Sequence, residues 1–178
     1  TPGYWKNWNQ CSKGNQAAVA ERNGGAEEGF YLVEDLLPIL VGGFAVNDCE
    51  DAVMILDRRN AVGKKMANDP AYGLASHLLA AKLNIAADAG ACGAVTDAVA
   101  EADALLARIG FDATRRFLTS LTADGKRALE LMALLDDYNN NQLCPGQTFY
   151  DPASSQQQTL APTAPTKTLT TFRTLLGR

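Results

Sequence analysis

The chain is poor in the residues from which most catalytic and cofactor sites are made. Its 178 residues include one histidine, His77, and four cysteines, no two of them in a CxxC pair. That excludes a zinc knuckle or a dithiol redox motif, which need closely spaced free thiols or several imidazoles. No glycine-rich phosphate loop occurs, so no cofactor is expected. No run of about 18 apolar residues occurs, which excludes a helical membrane span. The 16 Lys and Arg against 20 Asp and Glu leave a net charge of -4. They form no basic run along the chain, which argues against nucleic acid as a partner.

What is present is the composition of a soluble globular protein, 47% hydrophobic and 20% charged, at the length of one domain with an appendage. The division expected is a helical domain over 1–144 and a tail over 145–178. The chain opens Thr1-Pro2 without a methionine, as expected of a processed form or a piece of something longer.

The clearest pattern lies at 72–87, YGLASHLLAAKLNIAA. Leu74, Leu78, Ala81 and Ile85 recur at the spacing of one helix face, and Leu79 and Ala86 widen it. Its alanines allow close helix approach, so this segment is expected to be the hub of the domain. Asp69-Pro70 places its start, after a loop over 60–70. A short helix is possible at 16–22, and a further one is expected at 26–40, with Phe30, Val33, Leu36, Leu37 and Leu40 on one face and Pro38 as a kink or end. Gly42-Gly43 should stop that helix, and Phe44-Ala45-Val46 reads as an apolar link. Another runs from an Asn47 or Asp48 cap through Cys49 to Arg58, with Ala52, Val53 and Leu56 inward. One more spans Cys92 to Arg108, carrying Val95, Val99, Ala102, Leu106 and Ile109, with Gly110 as its stop. Asp112 can cap a short helix through Phe117, Leu118 and Leu121. Thr122 can cap a longer one through Ala128, Leu131, Leu135 and Tyr138. With no clear strand, the fold class expected is all-α: a compact bundle of five or six helices.

Cys11, Cys49, Cys92 and Cys144 are an even set, read as two disulfides in an exported protein. Three pairings are open. Cys11 with Cys49 and Cys92 with Cys144 is preferred, because it staples the first and last parts separately.

The opening TPGYWKNWNQC crowds Tyr4, Trp5 and Trp8 into what reads as an ordered loop. Two roles compete: a platform for stacking a glycan or docking a protein, and a lid folded onto the helical core. The lid is preferred. Asp48, Glu50, Asp51 and Asp57 lack the ligand spacing of a calcium loop, so no metal is expected and a capped acidic first turn is the simpler account. A hydrolytic relay would have to be built on His77. Its neighbour Ser76 points about 100° away around a helix, so the two do not form a nucleophile and base by themselves. No catalytic residues are assigned. The pairs Glu27-Glu28 and Asp136-Asp137 read as solvated helix faces.

Three blocks carry a resemblance. GYWKNW near the start, LASHLLAAKLNIAADAGAC in the middle, and ADALL followed by LLDDYNNNQLC resemble a module found in large secreted bacterial proteins. In its commoner form that module reads GYWKNH-P and LAHQLIAAKLN. The likeness covers 1–144 and departs at Trp8, where the module has His, and at Ser76-His77, where it has His-Gln. The resemblance implies export and a cell-surface setting and supplies no catalytic residues.

After Cys144 the text changes to Gln, Thr, Pro and Ala, which is linker chemistry. Within it, 166–176 (TKTLTTFRTLL) could lie as a strand against a partner, with Leu169, Phe172 and Leu175 as contacts, or pack back on its own domain. The function expected is a structural or adhesive module of a secreted or cell-surface protein. Its partners are expected to be other protein subunits, including copies of itself. The alternatives are a glycan-binding module using the aromatic loop and a secreted hydrolase.

Overall fold

A computed structural model describes residues 1–12 and 16–144. Among these the protein is all-α with one small hairpin: α1 (Pro2–Trp5), α2 (Gln16–Arg22), α3 (Cys49–Leu56), α4 (Pro70–Ala86), α5 (Gly93–Arg108) and α6 (Ala123–Asn139), with β1 (Ile39–Val41) paired antiparallel to β2 (Phe44–Val46). The tail contacts expected at Leu169, Phe172 and Leu175 lie outside the described residues.

Helix α4 is the hub, and α6, α3, α5 and α1 all pack on it. Asp69 caps it by accepting from the Ala71 N–H at 3.0 Å, and Pro70 at its first position lacks only a donor that would have had no partner. The amphipathic reading understates its burial. Every residue from Pro70 to Ala81 is buried, on all faces, as in a helix at the centre of a core. Its last turn emerges: Ile85 is half-buried and Ala86 exposed.

Helices α5 and α6 follow the apolar repeat. Val95, Ala102 and Leu106 of α5 are buried, and so are Ala128, Leu131, Leu135 and Tyr138 of α6. Thr122 caps α6 by accepting from the Gly125 N–H at 3.0 Å. On α3, Asp48 is the cap, accepting from the Asp51 N–H, and Ala52, Ile55 and Leu56 face inward while Val53 is half-buried. The two disulfides are Cys11–Cys49 and Cys92–Cys144, the preferred pairing.

Three expectations are overturned by local chemistry. The helix at 26–40 does not form. Gly29 takes φ 81, in the left-handed region, and ends a 3-10 turn at Gly25–Glu28. The Asp35 carboxylate then accepts from the Leu32 N–H at 2.8 Å, which starts a second 3-10 turn at Val33–Leu36 in place of a continuing helix. Leu40, placed on the buried face, is 59% exposed. The apolar link is instead strand β2, and Gly42-Gly43 is the hairpin turn, with Gly42 at φ 61.

The short helix expected after Asp112 is also absent. Asp112 accepts from the Thr114 N–H at 3.0 Å and the Thr114 hydroxyl at 2.6 Å, closing a turn on itself, and Ala113 is left-handed at φ 58. Leu121, expected inward, is 84% exposed. At the other end, the opening loop contains one helical turn, α1: Thr1 Oγ1 accepts from the Tyr4 N–H at 3.1 Å, and Pro2 presets the first φ.

Candidate functional site

The first site residues to place are the aromatics. The turn of α1 drives Trp5 fully into the core, where its Nε1–H donates to Asn84 Oδ1 on α4 at 2.8 Å. Asn84 Nδ2 donates to Asn139 Oδ1 on α6 at 2.8 Å, and Asn139 Nδ2 donates to the carbonyl of His77 at 3.0 Å. These side chains come from GYWKNW, LASHLLAAKLN and DDYNNN, so the three blocks meet in one hydrogen-bonded relay. Inside a core such a relay fixes position sharply, because an unmade bond there costs more than a made one contributes. Tyr4 and Trp8 stack on each other, 5.1 Å between centroids and 15° between planes, and Trp8 stacks in turn with Phe30 at 6.5 Å. A sugar platform needs a free ring face. Here Trp5 is buried, and Tyr4 and Trp8, both half-buried, each turn a face to the other.

Below α1 the polar residues do architectural work. Asn9, fully buried, donates to the carbonyls of Trp5 at 3.2 Å and Lys6 at 2.7 Å and accepts from the Ser12 N–H at 2.7 Å. Lys6 reaches Asp57 at 3.2 Å, where Arg59 at 2.6 Å and Lys65 at 2.8 Å also converge. Partial burial pushes the Asp57 carboxyl up, but the hydrogen bonds from Lys65, Arg59 and Lys6 outweigh it and hold the group well below the usual carboxylate range. Cys11, Cys49 and Glu34 draw together, but both sulfurs are joined in the disulfide, so that cluster offers a metal one carboxylate.

His77 sits on α4 between Arg58 and Asp136. Its Nε2 is 3.1 Å from Arg58 Nη2, and its Nδ1 is 3.4 Å from Asp136 Oδ1. A guanidinium can only donate, so Nε2 accepts and the proton of the neutral ring is on Nδ1, toward Asp136. Burial lowers the pKa of the ring, Asp136 opposes that, and Arg58 reinforces it. The pair Asp136 and His77 has the order of a hydrolytic relay, but Arg58 stands where a nucleophile's hydroxyl would donate. Ser76 is fully buried, and its hydroxyl donates to the carbonyl of Leu56 at 2.9 Å.

A feature with no counterpart in the linear pattern is a basic cleft of about 560 Å³ between the loop before α4 and the segment after Asp112. Two doublets far apart in the chain, Lys64-Lys65 and Arg115-Arg116, line it together with Asn68 and Asp69. Asp69 is 2% exposed, and besides capping α4 its carboxylate accepts from the N–H groups of Phe117 at 2.7 Å and Leu118 at 3.2 Å. The Tyr72 hydroxyl donates to the Arg115 carbonyl at 2.9 Å, and Ala61 N–H donates to the Ala113 carbonyl at 2.8 Å, tying one wall to the hub and to the other wall. The signal a sequence could have carried was two basic doublets, and only the fold makes them neighbours.

No family model matches the chain, and no curated protein or solved structure is significantly similar to it.

Proposed function

We propose that the chain is a structural or adhesive module of a secreted or cell-surface protein, built to keep its shape in an oxidising environment and to join an extracellular assembly. The observation that carries this reading is the use made of the motif residues. Trp5, Asn84, Asn139 and the His77 backbone are joined to one another, Asn9 braces the opening segment from inside, and Lys6 ties it to Asp57. Side chains committed in this way specify a scaffold. Two disulfides suit export, since such bonds persist outside the reducing cytosol. The likeness of the three blocks to a module of large secreted bacterial proteins agrees with both points.

Light scattering over a range of concentrations, on the full chain and on a chain ending at Cys144, tests it. Assembly of the full chain that is lost on removing 145–178 supports a building block joined through its tail. Monomers at every concentration in both would sink self-assembly as the role.

A further inference from the structure

We propose that the cleft between Lys64 and Arg116 is a binding site for an acidic saccharide, one whose rings carry carboxylate or sulfate groups. The inference names a ligand class for the adhesive half of the function proposed above, and rests on that reading for its extracellular setting. In a chain of net charge -4, four cations line this one recess with a single carboxylate. That carboxylate, Asp69, is already bonded to the backbone N–H groups of Ala71, Phe117 and Leu118. Lys65 is committed to Asp57, whereas Lys64, Arg115 and Arg116 form no ion pair among the described residues. Three exposed cations around one recess, with only the exposed Asp112 carboxylate near Arg115 to offset them, leave a concave surface of positive potential.

The walls are held before any ligand arrives. Asn60 Oδ1 accepts from the Lys64 N–H at 2.8 Å, Asn60 N–H donates to the Lys64 carbonyl at 2.9 Å, and Arg59 pairs with Lys65 in a β-bridge. Arg115 lies with its guanidinium carbon 5.1 Å from the centroid of the Phe117 ring, which supports the group while its in-plane N–H fork can still meet a carboxylate or sulfate. Pre-set walls reduce the ordering cost of binding. The volume falls within the range of small-molecule sites, roughly 300–1,000 Å³, and suits one or two sugar rings. Asn68 can serve ring hydroxyls, and half-buried Met66 offers an apolar patch to a ring's C–H face. No aromatic residue lines the cleft, so a nucleobase would find no stacking partner, and a saccharide would be held here by charge and hydrogen bonds to its substituents, not by an aromatic ring face.

Isothermal titration of the full chain with digalacturonate, with a sulfated disaccharide and with neutral lactose tests the assignment. Saturable binding of either acidic disaccharide, absent for lactose, is expected. The Arg115→Gln/Arg116→Gln variant should bind at least about tenfold more weakly, because charge-assisted hydrogen bonds carry the recognition. Lys126→Gln, which removes an exposed cation on α6, should bind as the parent does, and unchanged thermal midpoints would show that both variants fold. The proposal is overturned if neither acidic sugar binds, if the double variant binds equally well, or if inorganic phosphate, tetraglutamate or a short oligonucleotide binds more tightly. A blank titration alongside a full chain that still assembles would sink the cleft assignment alone.

Discussion

The two halves of the molecule are stabilised by different means. From Pro70 onward, three helices of 16 or 17 residues bury continuous apolar faces against one another. Before Val46 the chain has a one-turn helix, a seven-residue helix, two 3-10 turns and a three-residue hairpin. That half is held by an aromatic stack, side-chain hydrogen bonds to backbone and a disulfide to the start of α3, whereas the Cys92–Cys144 bond of the second half only adds to an apolar core. Short irregular elements bury too little apolar area to offset their ordering entropy, so covalent and polar ties take a larger share. Such a division predicts that the two halves respond differently to the same kind of damage.

The largest effect should come from the hub. Leu78→Ala removes a fully buried side chain where α4 is enclosed on every side, and should cost about 3–5 kcal/mol. Urea unfolding should stay a single transition at a lower midpoint. A local loss confined to one helix would show that α4 is not the shared core. Next comes Cys11→Ser/Cys49→Ser. The bond closes a separation of 38 residues, and its loss should cost about 2–4 kcal/mol. Hydrogen exchange should place that loss in the first 46 residues, with α4 and α6 keeping their protection. Equal loss throughout would erase the distinction between the halves.

This contrast also accounts for what could be read from the chain. In the second half burial follows helical repeats, so α4, α5, α6, the start of α4 at Asp69-Pro70, the Thr122 cap and Gly110 as a stop were all legible. The helix expected at 26–40 had equally good spacing. Its apolar positions satisfied the repeat, but Gly29, Asp35 and Pro38 each act on the backbone directly, and local backbone chemistry prevailed over a short apolar repeat. The relay from Trp5 through Asn84 to Asn139 was hidden for another reason: nothing in an asparagine's neighbours along the chain says that its partner is on another helix. The same holds for the cleft, whose cations become neighbours only when Asp69 and Tyr72 hold 115–118 against the start of α4.

Acid should separate the halves again, with a smaller effect. His77 in the hub has its pKa lowered from the ordinary 6.5, and Asp57, which anchors Lys6 of the opening segment, has its pKa lowered from 3.8. In both cases the unfolded chain binds protons more readily, so stability present above the ordinary value is lost as pH falls through the folded one. The thermal midpoint should therefore fall in two stages, the first below about pH 6.5 and the second below about pH 3.8. His77→Gln should shrink the first stage, which the half-buried Thr1 amino group shares, and Asp57→Asn the second, which the carboxylates of Glu101, Asp112 and Asp124 share. A single stage unaffected by either variant would mean that neither group governs the acid response.

The smallest effect isolates one tie of the polar kind inside the apolar half. Thr122 caps α6 with one hydrogen bond to Gly125 N–H, and its own hydroxyl donates to the Thr119 carbonyl at 3.0 Å at an exposed position. Asp69 caps α4 with a buried carboxylate that serves three N–H groups on two segments. Thr122→Ala should cost about 1 kcal/mol, the usual worth of an exposed cap, and Thr122→Ser should restore most of it. Asp69→Ala should cost more, because three donors, those of Ala71 and Leu118 buried, lose their acceptor together and the wall of the cleft is released. If the two alanine variants lost the same amount by urea denaturation, the cap of α4 would be an ordinary helix end. The organising role assigned to Asp69, between the hub and the segment that carries Arg115, would then be lost.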